Sequence, residues 1–208
     1  MPDDKNLNEV PLLTSVQQTP NYGTYHHATP EQSELVRQTL RGAFHKAFQR
    51  ISNPGDVRRV LDAGCGLGFL SEVTARYFGD STVTGVDLFG TKSLPEGNIK
   101  LAADNMIVAG LHDRVNFVRS DLTSLNFPAE YFDLVVSNLV FHNLGRSRFK
   151  AYDGIVTVMK TGAFFVIGDF FFSKTRDMEF LRKRMKLVDE INGIEKMPDA
   201  YSIMIFRK

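Results

Sequence analysis

The sequence predicts an α/β fold built on a doubly wound, mostly parallel sheet. From residue 58 onward, short apolar runs alternate with helical patterns, and this alternation requires crossover connections between parallel strands. Two runs, FDLVVSN and AFFVIGD, are apolar almost throughout, as central strands covered on both faces must be. Near the C-terminal end, DAYSIMIFRK follows the weaker pattern LVDEINGIEKM across a short MPD turn, which predicts an antiparallel hairpin at one edge.

The first predicted element is an amphipathic helix that begins at Pro30. Thr29 is placed to cap it, and proline is favoured at the first helical position. The turn residues Asn53, Pro54 and Gly55 end the pattern. The apolar residues assigned to its buried face are Leu35, Leu40, Phe44, Ala47, Phe48 and Ile51.

The remaining elements follow in alternation. Strands are predicted at residues 58–63, 82–87, 115–119, 132–138 and 163–169, and helices at residues 69–78, 97–109, 148–159 and 176–187. Residues 1–29 carry scattered prolines and polar residues without a sustained period, so we predict a flexible arm or lid there. Residues 30–208 are predicted to form a single domain.

Composition and charge limit the classes of function. Lys and Arg total 25 and Asp and Glu total 24, so no overall charge draws the 208-residue chain to nucleic acid or to a membrane. A single cysteine, Cys65, cannot form an internal disulfide, which fits a reducing compartment. The N-terminal residues are acidic and polar, unlike a secretion signal. We therefore expect a cytoplasmic protein.

The stretch RVLDAGCGLGFL, residues 59–70, predicts a ligand site. Gly64, Gly66 and Gly68 follow an apolar strand at alternate positions, so the main chain can pass close to a ligand. The helix that begins near Phe69 would direct free N–H groups toward that ligand. In an open α/β sheet, the turn after the first strand borders the ligand crevice. A tight turn without a ligand is the alternative.

The spacing of these glycines argues against a dinucleotide. In the fingerprint G-x-G-x-x-G the third glycine lies beside the pyrophosphate, whereas here Gly68 comes one place early and Phe69 stands in that position. An acidic residue for ribose is nevertheless present, because Asp87 ends the strand VTGVD 23 positions after Gly64. A nucleoside without a pyrophosphate fits both observations.

Three successive motifs, VLDAGCGLG, VTGVDLF and VNFVRSDLTSLNFPAEYFDLVVSNLVFHNL, resemble those of class I S-adenosylmethionine-dependent methyltransferases. The resemblance spans about residues 58–170. It implies a Rossmann-like methyltransferase fold with seven strands and an antiparallel C-terminal strand. It also implies that the domain at residues 30–208 is a methyltransferase with S-adenosyl-L-methionine as its cofactor.

The same resemblance implies a set of cofactor contacts. Asp62 and the turn residues Gly64, Cys65, Gly66 and Gly68 would hold the methionine part and approach the ribose. Asp87 would take both ribose hydroxyls, Leu88 would pack on adenine, Asp121 with Leu122 would meet the adenine edge, and Asn138 would face the methionine end. Each aspartate has an alternative role, as a turn-shaping residue for Asp62 and as a cap for Asp87 and Asp121. Cys65 is assigned no chemistry.

His142, in SNLVFHNL just past the fourth strand, is the predicted catalytic residue. Methyl transfer from a sulfonium is an in-line displacement that positioning can drive, so no metal is required. A base matters only where the acceptor must lose a proton early. His142 is placed beside the expected methyl group and can titrate near neutrality. A loop histidine bonded to the main chain is the alternative, and Asp169 either opens on the same crevice or caps the segment after it.

The acceptor is predicted to be a small molecule. SNLVF stands where an Asn-Pro-Pro-Tyr type stretch would indicate an amide or nucleobase amino acceptor. The cations of residues 182–186 have the spacing of a solvated helix face, which disfavours a nucleic acid partner. Methyl transfer to RNA or protein, and a non-catalytic cofactor-binding subunit of a methyltransferase complex, stay open as alternatives. The oligomeric state is also left open.

Two groups of aromatic residues complete the predicted site. Phe170, Phe171 and Phe172 either form an apolar wall for the acceptor or belong to the core. In the arm, Tyr22, Tyr25, His26 and His27 are candidates for a lid over the crevice.

Overall fold

The computed structural model describes residues 19–90 and 97–208. Residues 1–18 of the predicted arm lie outside the described residues. The helices are α1 (Pro30–Phe48), α2 (Phe69–Tyr77), α3 (Ile99–Val108), α4 (Arg148–Val158) and α5 (Lys174–Arg182). The strands are β1 (Arg59–Ala63), β2 (Thr82–Asp87), β3 (Val115–Arg119), β4 (Phe132–Asn138), β5 (Met159–Phe170), β6 (Lys186–Ile191) and β7 (Tyr201–Arg207). Short 3₁₀ segments lie at Pro54–Asp56, Leu122–Ser124 and Phe141–Ser147.

The seven strands form one sheet in the order β3-β2-β1-β4-β5-β7-β6. β1 pairs in parallel with both β2 and β4, so the order of the strands reverses between β1 and β4. A ligand crevice in such a sheet lies at this switch point, beyond the carboxyl ends of the strands. The predicted doubly wound, mostly parallel sheet is therefore confirmed, and its switch point puts the glycine turn after β1 beside the segment after β4.

Helix α1 begins as predicted, with a full capping box. The amide of Gln32 donates to Thr29 Oγ1 at 3.2 Å, and the amide of Thr29 donates to Gln32 Oε1 at 2.8 Å. The assignment of Leu35 to the buried face is wrong, because Leu35 is 43% exposed. Successive helical residues are 100° apart, which places Leu35 about 140° from Leu40. Arg37 occupies the buried face instead and donates to the carbonyl of Gly23 at 2.9 Å.

The sheet separates two hydrophobic cores. Adjacent residues of β4 alternate between them, since Leu134 and Val136 pack into the first core and Val135 into the second. The first core is covered by α1, α2 and α3 through Phe44, Phe48, Val73 and Met106, and the second by α4 and α5 through Tyr152, Ile155 and Leu181. In the described part of the chain, no helix is both long enough and apolar enough to cross a membrane.

The C-terminal region confirms the hairpin and corrects one helix. β7 pairs antiparallel with both β5 and β6, so the hairpin lies at the edge of the sheet as predicted. The helix predicted at residues 176–187 ends instead at Arg182. Lys186 and Leu187 are already strand residues opposite Arg207 and Phe206, so pairing with β7 overrides the local helical pattern.

Candidate active site

The glycine turn after β1 is held against β2 by its own main chain. The amides of Gly64 and Cys65 both donate to the carbonyl of Val86, at 2.8 and 3.0 Å. The φ angles of Gly64, Gly66 and Gly68 are 81°, 52° and 90°, in the left-handed region that favours glycine. Gly68 is the N-cap residue of α2. The backbone of this turn therefore requires all three glycines, whatever ligand it holds.

The segment after β4 packs directly on this turn. A Cβ atom added to Gly64 would collide with the side chain of Val140. The small size of Gly64 is thus needed for Val140, and its contact with a cofactor stays a prediction. Leu139 adopts a left-handed φ of 59°, and its amide donates to the carbonyl of Gly168 at 2.8 Å. The glycine turn and the ends of β4 and β5 therefore form one continuous surface.

Asp62 is a buried carboxyl group beside the turn. Its Oδ2 accepts a hydrogen bond from Ser71 Oγ at 2.6 Å. Its Oδ1 is buried without a hydrogen-bond partner among the described residues, and such groups need an explanation in a folded protein. Burial, opposed by the Ser71 bond and reinforced by the charge of Asp87, raises the pKa of Asp62 to about 7.

Asp87, the last residue of β2, has its carboxylate oriented by two amides. Oδ1 accepts from the amide of Phe89 at 2.8 Å and Oδ2 from the amide of Gly66 at 3.1 Å. Each carboxylate oxygen keeps a free lone pair, since it can accept two bonds. The next residue, Leu88, is 57% exposed. Both side chains are accessible to a ligand at the carboxyl end of β2.

Three other predicted cofactor residues have structural roles here. Asp121 caps the 3₁₀ segment Leu122–Ser124 by accepting from the amide of Thr123 at 2.7 Å, and hydrogen bonding with the amide and then the side chain of Thr123 lowers the pKa of Asp121. The side chain of Leu122 is buried in the second core. Asn138 Oδ1 accepts from the hydroxyl of Tyr201 at 2.7 Å. Contact of these residues with a cofactor stays a prediction.

Cys65 is buried beside Leu67, Phe89 and Ala102. Desolvation, followed by the charges of Asp62 and Asp87, raises the pKa of the Cys65 thiol well above its usual value. A thiol that stays protonated is a poor nucleophile. This environment agrees with the expectation that Cys65 carries no chemistry.

The described end of the arm is tied to the glycine turn through α3. Asn105 accepts from the amide of Asn21 at 2.8 Å and donates to the carbonyls of Asn21 and Leu67, at 2.7 and 2.9 Å. The hydroxyl of Tyr22 donates to Glu72 Oε2 at 2.8 Å. These contacts fix residues 21–22 beside the turn, whereas closure of a lid stays a prediction.

The remaining lid candidates lie further along the arm. The guanidinium of Arg37 lies 5.4 Å from the ring centroid of Tyr25, which ties that residue to α1. His26 and His27 are exposed.

His142 forms a close pair with Asp169, which lies near the end of β5. The distance between His142 Nδ1 and Asp169 Oδ1 is 2.5 Å. Asp169 is 1% exposed and also accepts main-chain N–H bonds from Val140, Phe141, His142 and Phe170, at 3.3, 2.6, 3.3 and 2.7 Å. Because N–H groups only donate, this arrangement assigns the proton to Nδ1 of His142. Nε2 is then left with a free lone pair.

A pocket of about 180 Å³ opens beside this pair. Its volume is comparable to that of a cavity of about 150 Å³ that binds benzene, so it fits a small molecule. The ring of Phe170 lies 5.2 Å from that of His142 and 5.6 Å from that of Phe172. The lining residues are Phe141, His142, Arg148, Tyr152, Asp169, Phe170, Phe171, Phe172, Ser173 and Asp177.

The sequence placed His142 and Asp169 at one crevice but did not pair them. Their partnership spans 27 positions and depends on the parallel pairing of β4 with β5. The sequence signal for a shared site was that each of these apolar strands leads into a polar residue, His142 after β4 and Asp169 near the end of β5. Tyr201, Val140 and Asn105 were not identified, because their contacts depend on the tertiary fold.

Comparisons with known proteins agree with the geometry. A family model described as a methyltransferase domain matches residues 61–167. The chain is 26% identical over 150 residues to the ubiquinone/menaquinone biosynthesis C-methyltransferase UbiE of Vibrio parahaemolyticus, covering 69% of this chain and 55% of that relative. It therefore spans about half the length of the curated relatives of this type.

A second relative and a solved structure extend the comparison. The chain is 29% identical over 111 residues to the U6 snRNA (guanine-N(2))-methyltransferase THUMPD2 of Mus musculus, covering 52% of this chain and 20% of that protein. A SAM-dependent methyltransferase structure from Aquifex aeolicus superposes with a TM-score of 0.64 at 18% identity, covering 85% of this chain and 96% of that one. At such identity the structural likeness establishes the fold alone.

Proposed function

The chain belongs to the methyltransferase-domain family, and on that premise we propose that it transfers a methyl group from S-adenosylmethionine to a small-molecule acceptor, with His142 as general base. The observation that carries the proposal is the pair of His142 and Asp169 at a ring-sized pocket. The amide of Val140 donates to Asp169 of this pocket at 3.3 Å, and the side chain of Val140 packs on Gly64 of the glycine turn. A bound donor and a bound acceptor would then lie next to each other.

The residues around the turn fit the family's cofactor. Asp62 Oδ1 is a buried acceptor with no partner in residues 19–90 and 97–208, which suits an ammonium donor such as that of a methionine moiety. Asp87 keeps lone pairs for two ribose hydroxyls, and Leu88 is exposed for an adenine face. S-adenosylmethionine supplies a methyl group already activated by its sulfonium. The chain's own residues need only hold, orient and deprotonate.

His142 would take the proton that the acceptor loses. Asp169 holds Nδ1–H, so Nε2 is the basic atom. The side chain of His142 is 18% exposed, which lets it face the pocket and later return the proton to solvent. Positioned acid–base groups of this kind contribute roughly 10²–10⁴-fold to rate.

Pocket size and charge placement favour a small acceptor over RNA or protein. The cations Arg182, Arg184, Lys186, Arg207 and Lys208 line a separate groove. Lys186 pairs with Arg207 at one end of the hairpin, whereas Tyr201 pairs with Phe170 at the other. This basic groove is thus at the end of the sheet opposite His142. The resemblance to UbiE, a quinone-biosynthesis methyltransferase by name, also supports a small acceptor.

The test compares two histidine variants of the purified chain. We expect His142→Gln to lower kcat by at least about 10²-fold while the Kd for S-adenosylmethionine stays within twofold. The control is His112→Gln, since His112 also pairs with an aspartate, Asp113, but at the surface. Turnover is followed by mass spectrometry on a panel of amines, phenols and carboxylic acids. Wild-type turnover in His142→Gln would contradict the assignment of the base, and no turnover by the wild-type chain on any compound would favour a non-catalytic subunit.

A further inference from the structure

The acceptor pocket has a charge balance that selects among small molecules. Resting on the function proposed above, we infer that the pocket takes its acceptor as a cation, namely an aliphatic or benzylic amine that is methylated on nitrogen. The ionisable groups lining it, apart from histidine and tyrosine, are the carboxylates Asp169 and Asp177 and the guanidinium of Arg148. With neutral His142, the lining carries one net negative charge.

The one cation of the lining is already engaged. Arg148 Nε lies 2.6 Å from Asp177 Oδ1, and their side chains are 15% and 5% exposed. Arg148 Nη1 donates to the carbonyl of Gly145 at 2.6 Å, and the guanidinium carbon lies 4.5 Å from the ring centroid of Phe149. The charges of Arg148 and Asp177 therefore cancel each other. An anionic acceptor would meet no free cation among the described lining residues, while Asp169 would repel it.

The aromatic walls strengthen this preference for a cation. Phe170, Phe171 and Phe172 all line the pocket. The rings of Phe170 and Phe172 stack with their centroids 5.6 Å apart, and Phe172 is 75% exposed. An ammonium or quaternary ammonium over an aromatic face is attracted by the ring quadrupole, by roughly 0.5–2 kcal/mol. A neutral ring would also pack there, so the walls alone do not decide. The walls and the net negative charge together favour the cation.

The chemistry balances with His142 as the base. A primary ammonium gives one proton to Nε2 of His142, and the imidazolium so formed is stabilised by Asp169. The freed nitrogen lone pair then takes the methyl group while the bond between that methyl and sulfur breaks, with the bonding electrons staying on sulfur. The product is an N-methylated ammonium, and the total charge is unchanged. The adjacent sulfonium disfavours the charged amine, which makes this deprotonation easier.

Three isosteric probes test the inference without any methyl transfer. Choline is the cation, 3,3-dimethylbutan-1-ol is its neutral isostere, and 3,3-dimethylbutyrate is the corresponding anion. Binding to the full chain is measured by NMR titration in the absence of cofactor. We expect choline to bind at least tenfold more tightly than the alcohol, and the anion to bind most weakly. Equal affinities, or tighter binding of the anion, would overturn the inference.

A variant locates the binding. Phe172→Leu should weaken the binding of choline severalfold and leave the binding of the alcohol nearly unchanged. Because Phe172 is 75% exposed, the substitution should not disturb folding. The control is Phe127→Leu, at a ring that packs 5.2 Å from the ring of Phe132 and is absent from the pocket lining. Loss of choline binding in the control alone would contradict the site.

Turnover separates this inference from the proposed function. If phenols or carboxylic acids are methylated and choline shows no preference, the cation inference fails while the proposed function stands. If choline binds most tightly of the three probes but no compound is methylated, the preference of the pocket for a cation is supported and the proposed function fails.

Discussion

At the scale of single residues, three aspartates near strand ends differ in how many hydrogen bonds their carboxyl groups already accept from the protein. Asp169 accepts four main-chain N–H bonds and the imidazole, so its oxygens are used by the protein. One oxygen of Asp62 has no hydrogen-bond partner in the part of the chain that the structure describes. Asp87 is oriented by two amides and keeps lone pairs outward. Asp62 and Asp87 therefore retain hydrogen-bonding capacity that Asp169 has used, and Asp87 is the more exposed of the two.

Asp87→Ala should weaken binding of S-adenosylmethionine by tenfold or more. A charged hydrogen bond contributes roughly 1.5–3 kcal/mol, and each tenfold change in Kd corresponds to about 1.4 kcal/mol. Isothermal titration calorimetry measures the affinity. The matched control is Asp113→Ala, because the side chain of Asp113 is 86% exposed. An unchanged Kd in Asp87→Ala would show that Asp87 only shapes its own turn.

At the scale of elements, α1 shows what a periodic pattern can and cannot predict. Its start was predictable because Thr29, Pro30 and Gln32 form a local cap. The burial of Arg37 was not, since it depends on Gly23 and on the ring of Tyr25. An apolar residue is favoured inside, but position on the helix decides which side chain faces the core.

Gly42→Ala should stabilise the protein by about 0.5–1 kcal/mol, because glycine is the least favourable ordinary residue within a helix. Gly42 lies within α1, and a Cβ there would meet nothing within 4 Å. The control is Gly154→Ala in α4, where the Cβ would lie 3.3 Å from the carbonyl oxygen of Leu122. Urea unfolding of both variants measures the change. A gain in Gly154→Ala as large as in Gly42→Ala would contradict the explanation by open space.

The second half of the chain shows where local patterns lose to tertiary pairing. Residues 183–187 continue the helical pattern of α5, yet Lys186 and Leu187 pair with β7. The same distinction between local pattern and tertiary contact applies to the predicted site. Residues at strand ends could be found from the sequence, because apolar runs mark where strands stop. The contact of Val140 with Gly64 could not, because it depends on the path of the chain after β4.

At the scale of the whole molecule, the sheet brings distant segments to one edge. Asn138 and Tyr201 are hydrogen-bonded across 63 positions, and Asn21 and Asn105 across 84. The seven strands and the antiparallel C-terminal strand were implied by the family resemblance and are confirmed. The side-chain contacts across that edge follow from the packing of the two cores, which a single sequence does not specify.

Asp62 links this edge to the stability of the whole fold. The side chain is 1% exposed, and burial disfavours the charged carboxylate. Its pKa is about 7 in the folded chain, against an ordinary value of 3.8. Between these values the folded chain holds a proton that the unfolded chain has lost. Stability therefore falls as pH rises through this window, by up to about 1.4 kcal/mol per pH unit.

Asp62→Asn should remove this dependence, since an amide has no proton to lose in the window. In the absence of cofactor, we expect the free energy of unfolding of the wild-type chain, relative to Asp62→Asn, to decrease from about pH 4 to about pH 7 and to stay constant above that. Urea unfolding at several pH values measures it, with Asp113→Asn as the exposed control. A difference between wild type and Asp62→Asn that stays constant with pH, or that grows in favour of the wild type as pH rises, would mean that Asp62 is ionised in the folded chain, and its unpaired oxygen would then need a cation within the fold.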